Sequence, residues 1–581
     1  MRIRQLLISN FRGIQRLNWS PTEPFTCLIG AGDSTKSTIL TALEFVLSPR
    51  WNIPFDDSDF YNLNIAEPIN IQVTVGDVPQ SLLRDDKFDC YKRGWSDDGL
   101  VDEPTDDTEE VLTIQLQVDS SLEPKWKVIT NRDEDGKTIS SRDRGLLGTV
   151  RIGSYVDQHF AWNRNSALSR LTVAEDNETT SILTTVNRSA RDSANLNEIA
   201  ALNDVVGHAN TQADAFAVNK SNQFAPRMDT QAMSIGMGSI AIHDGEIPFR
   251  LAGLGSRRLF ALGLQLLQFE NGTVLLIDEV EHSLEPYRIR NLLGQLHKLM
   301  QAADTSIKQV ILTTHSPVVV QTLSASHLAV VQASEGTTSI KQGDTTIQAH
   351  LRKAPDAFLS QRIIVCEGKT EEGICMALDD HWQTTENKSP FANNGLAVIN
   401  GGGHNSPKPA STLHRLGYDS CLFLDSDDLD RLDASLTTYK DSGGKVVCWA
   451  EDDEVCTEQR IINDLPFALL DSFLTLAIEC CEIKSDGELT HDQAREKVIS
   501  QIRSKMTNQP TVAQMQGRVQ TWGDKPDIRN GIGLAAKKGG WFKRIDVGEK
   551  LGMFICSNWT RFPNDSDLIR KLTELKTWVY Q

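Results

Sequence analysis

A short apolar run, Phe25 to Ile29, ends in the segment GAGDSTKST at residues 30–38, and Ile39, Leu40, Leu43 and Leu47 follow at once in a helical stripe. Few patterns restrict a chain more, because a buried strand, a small-residue loop and a helix must follow one another with the loop amides turned toward one point. Gly30 leads by six residues to Lys36, with Ser37 and Thr38 next. The segment has the chemistry of a phosphate loop. The amides of Gly30, Asp33, Ser34 and Thr35 and the positive end of the helix favour an anion, Lys36 suits β- and γ-phosphate oxygens, and Ser37 or Thr38 offers a hydroxyl to magnesium. Thr35 stands where glycine normally precedes the lysine, so positive φ at that position would carry a Cβ cost. Taken alone, the segment also reads as a helix N-terminus with Ser and Thr as caps.

Other segments extend the pattern. VLLIDE at 274–279 is four apolar residues closed by two carboxylates, the form of a buried parallel strand that delivers acids at its C-terminal end. Asp278 is placed to hold magnesium, directly or through water, and Glu279 to polarise an attacking water. Upstream, LAGLGSRRLFALGLQLL opens with small residues and continues as an amphipathic helix; downstream, QVILTTHSP is another buried strand that ends at His315. In this order, and with the opening phrase ISNFRGI and a separation of 278 − 36 = 242 residues between Lys36 and Asp278, the chain resembles the ABC-type ATPase heads of the SMC and RecF kind. The resemblance implies ATP as the nucleotide and dimerisation through the heads. It makes Gly253 to Arg258 the signature segment facing a second head's nucleotide, with Ser256 toward the γ-phosphate, and His315 the switch histidine. The signature lacks the common Leu-Ser-Gly-Gly wording, and His315 also reads as a capping or core histidine. Between these halves, residues 160–235 are rich in Ala, Asn, Ser, Thr and Asp, and too short for a long coiled-coil arm. They are expected to form an inserted helical element, either a dimerisation or partner surface or a plain lid.

A second centre begins at RIIVCEGKTEE, a strand ending in Glu367 with a helix starting near Glu371. GLAVIN then runs into GGGHN at 401–405, and CLFLDSDD places Asp425 and Asp427 at the end of another apolar strand. In an open parallel sheet the strand C-termini collect along one edge, so Glu367, Asp425 and Asp427 are expected to converge there with Glu371 behind. Carboxylates held together repel unless a divalent cation neutralises them, and hard oxygen ligands suit Mg2+ or Mn2+. Such a cluster aligns a phosphodiester and generates a hydroxide nucleophile. For each acid the alternative is a turn cap or a solvated loop.

The EGKTE and DSD phrases with the glycine turn between them resemble a Toprim domain, and an SMC-like head followed by Toprim resembles the OLD (overcoming lysogenization defect) nuclease family over nearly the full length. The resemblance implies an ATPase-linked, metal-dependent DNA endonuclease or nickase, homo-oligomeric through its heads, often serving defence against phage. It also implies an acid after the Asp-x-Asp strand and a lysine well downstream. EDDEVCTEQRII offers Glu454 and Glu458, and AAKKGGWFKRI offers Lys537, Lys538 and Lys543; Glu458 and Lys543 are preferred, with ordinary surface charge as the alternative. A non-cleaving DNA-repair or sensor ATPase of the RecF or SMC kind is the other reading, and nucleotidyl transfer a third. None of the seven tyrosines stands in a recognisable nucleophile setting, which disfavours a topoisomerase.

Composition sets bounds. The chain has 581 residues, 39% apolar and 24% charged, which is enough for several cores and typical of a globular protein. No apolar stretch reaches the roughly 18 to 20 residues of a membrane span, and the N-terminus lacks a cleavage-site pattern, so a cytoplasmic protein with no membrane partner is expected. Ten cysteines show no Cys-x-x-Cys spacing and read as buried thiols, with only the vicinal Cys480 and Cys481 suggesting redox chemistry. The net charge of −19 is uneven: residues 97–110 carry eight acids and no base, whereas 501–581 carry 14 basic against 7 acidic residues, a local +7. The acidic run is expected to be a solvated loop. The basic region, interleaved with Trp522, Trp541, Phe542 and Trp559, suits phosphate contacts and base stacking, unless the aromatics are core.

The expected fold is α/β: an ABC-type P-loop ATPase head over 1–345 with a helical insertion at 160–235, a linker at 346–360, a parallel-sheet Toprim core over 361–465, and a basic C-terminal region, 466–581, completing the nuclease domain. Expected partners are DNA, further copies of the chain, and a second defence component, either a protein or an RNA-DNA element.

Overall fold

The computed structural model describes all residues except 153–156, 163–165, 172–176, 194–195, 217, 219–220, 227–238, 268–272, 303–306, 428, 485–487, 508–509, 511–514 and 516–521. The chain gathers into two compact units: Leu147–Lys308 with Met1, and Arg2–Leu146 together with Gln309–Gln581.

In the second of these units the fully buried strand Phe25–Ile29 lies parallel between Ile307–Thr313 and Leu328–Ser334. Strands buried on both faces in this way belong in the middle of a covered sheet. Gln309 is fully buried among them, and its amide is satisfied at Ile3: Ile3 N donates to Oε1 (2.7 Å) and Nε2 donates to Ile3 O (3.3 Å). The strand Arg2–Phe11 pairs antiparallel with Ile14–Trp19 and Ile69–Gly76, and the latter continues to Glu109–Val118. The acidic run at 97–110 is not simply a solvated loop. It enters the hairpin Arg93–Ser96 and Gly99–Val101, where basic side chains meet it: Arg93 and Arg132 at Asp102, Lys92 at Glu110, and Arg4 at Glu109.

The same unit holds a second sheet of four parallel strands in the order Leu396–Asn400, Arg362–Cys366, Asp419–Leu424, Lys445–Cys448. Residues 346–360, expected as a linker, carry the helix Gln348–Lys353 and the turn Pro355–Leu359 instead, because Leu351 and Phe358 are fully buried and Tyr418 Oη donates to Phe358 O (2.7 Å). One hydrophobic core runs from Ile364 through Trp449 and Phe473 to Val579, so the C-terminal helices pack on the parallel sheet. Trp541 and Phe542 belong to this core, and Trp522 and Trp559 lean on it, which removes them as free stacking platforms. Cys480 and Cys481 are buried free thiols within it, as expected of small apolar residues.

Two helices of this core, Lys369–Glu386 and Ile545–Ser557, approach at glycines. A Cβ at Gly373 would lie 2.5 Å from Ile545 O, and one at Gly552 2.6 Å from the Ala377 methyl. The close approach sets the helix Ile545–Ser557 directly against the helix that carries Glu371.

In the other unit, Thr149–Ile152 runs parallel to Thr273–Ile277, and the helix Pro286–Gln301 buries Ile289, Leu292, Leu293 and Leu296 at helical spacing. The inserted segment contributes the helices Asn177–Ser193 and Ala200–Ala215; the remainder of 160–235 falls partly outside the described residues. Among the described residues no single helix is long and apolar enough to cross a membrane.

Candidate functional site

The phosphate-loop segment lies between the strand Phe25–Ile29 and the helix Lys36–Leu47. Gly30 has φ +140°, and a Cβ there would lie 2.5 Å from Val331 O, so no other residue fits. Asp33 (φ +57°) and Thr35 (φ +68°, ψ +11°) are both left-handed, so the Cβ cost anticipated at Thr35 is incurred. The Thr35 hydroxyl does not cap the helix; it is bonded to the Thr338 hydroxyl at 3.2 Å. Lys36 is buried, and its ammonium donates to Gly30 O (3.1 Å), Ala31 O (2.7 Å) and Ser34 Oγ (2.9 Å). The ammonium is thus held by carbonyl and hydroxyl oxygens of its own loop. Ser37 is exposed at the first helical turn with Thr38 beside it, and His315 is exposed just past the strand Ile307–Thr313.

In the other unit Asp278 and Glu279 follow the strand Thr273–Ile277. Arg151, at the end of the neighbouring strand, forms an ion pair with Asp278 Oδ2 at 2.7 Å. Arg258 is buried and donates to the carbonyls of Asp278 (2.7 Å), Glu279 (2.8 Å) and His282 (2.9 Å), fixing a turn in which Glu279 takes φ +44°. Burial lowers the Arg258 pKa. Ser256 accepts from Arg288 Nη1 at 3.1 Å. Sequence reasoning passed over Arg151 and took Arg258 only as the edge of the signature. A basic residue in a strand and one in an amphipathic helix carry no signal of the carbonyls they reach.

The parallel sheet brings the remaining acids together. Glu367 follows Cys366; its amide donates to Phe423 O (2.9 Å), and its Oε2 accepts from Asp425 N (2.9 Å), so the ends of two neighbouring strands are tied through one carboxylate. Gly403 N donates to Glu367 O (2.7 Å), which folds the GGGHN turn over the strand end. Glu371, buried in the first turn of its helix, accepts from Gly368 N (2.9 Å). Asp425 Oδ1 accepts from Thr457 N (2.9 Å), Trp449 Nε1 (3.2 Å) and the Thr457 hydroxyl. It therefore lies at the positive end of the helix Thr457–Asp464. Glu458, the next residue of that helix, is 3% exposed, and its Oε1 has no hydrogen bond.

These groups act on one another through their charges. Burial first, then the charges of Glu371, Glu367 and Glu458, pushes Asp425 well above the ordinary carboxylate range. Burial raises Glu371 and Glu458 as well; Glu371's charge adds to the rise at Glu458, and the Lys543 ammonium works against both. Lys537, in the last turn of the helix Pro526–Gly539, is ion-paired to Asp427, and burial lowers its pKa. Lys543 follows the next turn, held near Glu371 because Thr370 Oγ1 donates to Phe542 O (3.2 Å). Glu367, Glu371, Asp425, Asp427, Glu458 and Lys543 are thus gathered at one edge, together with Lys537. Glu454 has φ +46° in the turn ahead of that helix. Thr457 and Trp449, which orient Asp425, had no sequence signal, since their role depends on which strand end faces them.

The donor set fits a hard divalent cation: several carboxylates, one buried oxygen without a partner, and pKa values raised by crowding. Among the described residues no three such side chains already ring one point, because protein donors and Lys537 hold the acids instead.

Residues 25–321, just over half of the chain, match the family model described as an AAA domain, putative AbiEii toxin, Type IV TA system, and residues 358–427 match that of the overcoming-lysogenization-defect-protein-like Toprim domain. The chain belongs to the OLD family. An OLD-type chain joins a nucleotide-using ATPase domain to a domain of metal chemistry, the combination of an ATP-driven nuclease. No curated protein matches the sequence. Among solved structures, an SMC head bound to the C-winged helix domain of ScpA is 12% identical, covering 59% of this chain and 97% of its own, with a TM-score of 0.35. The recombination mediator RecF with ATP is 13% identical, covering 58% and 97%, with a TM-score of 0.30. The OLD assignment rests on the two domain matches in their order.

Proposed function

We propose that this OLD-family chain is an ATP-binding DNA endonuclease or nickase dependent on Mg2+ or Mn2+, acting in defence against phage as a homo-oligomer. The observation that carries the reading is the convergence of Glu367, Glu371, Asp425 and Glu458, three of them with raised pKa values, beside Lys537 and Lys543. A bound divalent cation supplies the charge that lets such acids ionise together and the acidity that activates water. Glu367 and Asp425 orient one another, Thr457 and Trp449 fix the Asp425 carboxylate, Asp427 and Glu371 complete the acid set, and Glu458 presents a free oxygen. Lys543 offsets negative charge developing at the scissile phosphate.

In the ATPase part, Gly30 and Asp33 to Thr38 take the nucleotide phosphates, with Lys36 as the cation and Ser37 and Asp278 toward magnesium. Glu279 polarises water, and Ser256 and His315 serve the γ-phosphate. Incubation of supercoiled plasmid with Mn2+ tests the nuclease reading: the wild-type chain nicks, and Asp425→Ala abolishes nicking while ATP binding survives. Undiminished nicking by the purified variant refutes the assignment. A non-cleaving repair or sensor ATPase is the reading that Lys537 on Asp427 favours, and in that case the wild-type chain leaves plasmid intact with either metal.

A further inference from the structure

The helices Leu470–Lys484 and His491–Arg503 and the turn after Pro526–Gly539 enclose a pocket of about 120 Å3 lined by Cys481, Lys484, Lys497, Gln501, Gly539 and Trp541. Lys484 and Lys497 both face it, and neither is ion-paired among the described residues. Burial first, then the charges of Lys497 and Arg544, lowers the Lys484 pKa, although the neighbouring Cys481 works against the shift. The lining residues thus include two like charges and no carboxylate, and Arg544, whose charge also acts on Lys484, is engaged with Asp546. The Lys484 ammonium donates to Gly540 O and keeps further donors, as an ammonium has three. Trp541 Nε1 donates to Gln501 Oε1 at 2.6 Å, which turns the Gln501 amide nitrogen into the remaining donor of that side chain. Capping of the preceding helix accounts for Lys484 alone and leaves Lys497 without a reason to face the same space.

The pocket adjoins the acid cluster through one turn. A Cβ at Gly540, which has φ +58°, would lie 3.6 Å from Lys484 Nζ and 3.8 Å from Lys543 Cβ. The turn that walls the pocket therefore also carries the lysine acting on Glu371 and Glu458.

We propose that this pocket seats a backbone phosphate of the nucleic-acid strand next to the phosphodiester presented to the acids, with Lys484, Lys497 and Gln501 as its donors. The inference rests on the nuclease reading above for the identity of the strand. Each phosphate contact contributes close to one unit to the slope of log affinity against log salt, so losing two is a measurable change.

The test is fluorescence anisotropy of a short labelled duplex with the full chain in EDTA over a salt series. Lys484→Gln with Lys497→Gln lowers the slope by about 1–2 and weakens Kd at low salt by about tenfold. Lys497→Gln alone, at an exposed position that leaves the fold intact, lowers the slope by about half as much. Unchanged Kd and slope in the double variant, or no salt-dependent binding by the wild type, overturns the proposal. So does an equal fall on Lys388→Gln, an exposed lysine just past the helix Lys369–Glu386, since the effect would then be one of bulk charge. Protection from melting by inorganic phosphate that depends on both lysines, with no effect on duplex binding, would assign a free-anion site and also overturn it. Duplex binding is read without metal and Asp425→Ala nicking with Mn2+, so either reading can fail without the other.

Discussion

Replacing Thr35 by glycine and by alanine inverts the usual stability order of those two residues. Thr35 precedes Lys36 at φ +68°, where a side chain with a Cβ costs about 1–2 kcal/mol. Its hydroxyl returns about 1 kcal/mol through the 3.2 Å bond to Thr338. Alanine keeps the backbone strain and loses the bond, so Thr35→Ala is destabilised by about 1 kcal/mol. Glycine also loses the bond but releases the strain, against about 0.5–1 kcal/mol for the greater freedom of its unfolded chain. Thr35→Gly therefore exceeds Thr35→Ala by roughly 0.5–1 kcal/mol and comes close to wild type. At an ordinary helical or extended position, alanine is the more stable of the two by a similar amount. Calorimetric melts of the full chain without nucleotide read the order, at about 2–4 °C per kcal/mol for a unit of 150–250 residues. An alanine variant equal to or above glycine would refute the strained loop.

Two further outcomes follow from buried charge. Asp425→Asn stabilises the metal-free protein at neutral pH. Burial and the acids around it raise the native carboxyl pKa above the ordinary 3.8, so the native state binds the proton more tightly than the unfolded chain does, and this contribution falls as pH rises above 3.8 toward the raised value. Thermal melts in EDTA at rising pH should show the gap between variant and wild type widening over that window, while Mn2+ no longer lifts the variant's Tm; a variant less stable than wild type at neutral pH contradicts this. Arg151→Ala frees Asp278 from its 2.7 Å ion pair and strengthens magnesium–nucleotide binding by about fivefold, the worth of a partly exposed pair of about 1 kcal/mol. Isothermal titration with a non-hydrolysable ATP analogue checks this, and weaker binding would make Arg151 a support of the site rather than a competitor.

Much of this organisation was legible because it is carried by local pattern. The strand, loop and helix from Phe25 to Leu47, the acids at strand ends and the parallel order of the second sheet follow from apolar runs closed by glycine or carboxylate. The structure also places Glu458 and Lys543 beside Glu371, although their segments differ from ordinary surface sequence only through the family resemblance. What stayed hidden was long-range. Arg258 reaching three carbonyls, Lys537 on Asp427 across 110 residues, and Thr457 under Asp425 are set by packing that periodicity does not encode. The segment 346–360 reads as a linker between two strand-and-acid patterns, yet its apolar residues, Leu351 and Phe358 among them, are buried. The aromatics of the basic region looked available for stacking, but Trp541 and Phe542 close a core that begins near residue 364.

The most direct measurement is anomalous scattering at the manganese edge from crystals soaked in Mn2+. The account predicts a peak bounded by Glu367, Glu371, Asp425 and Glu458, with Lys537 released from Asp427. A structure with manganese bound elsewhere, or with these acids still held as they are here and no peak among them, would contradict the assignment of this edge as the nuclease centre.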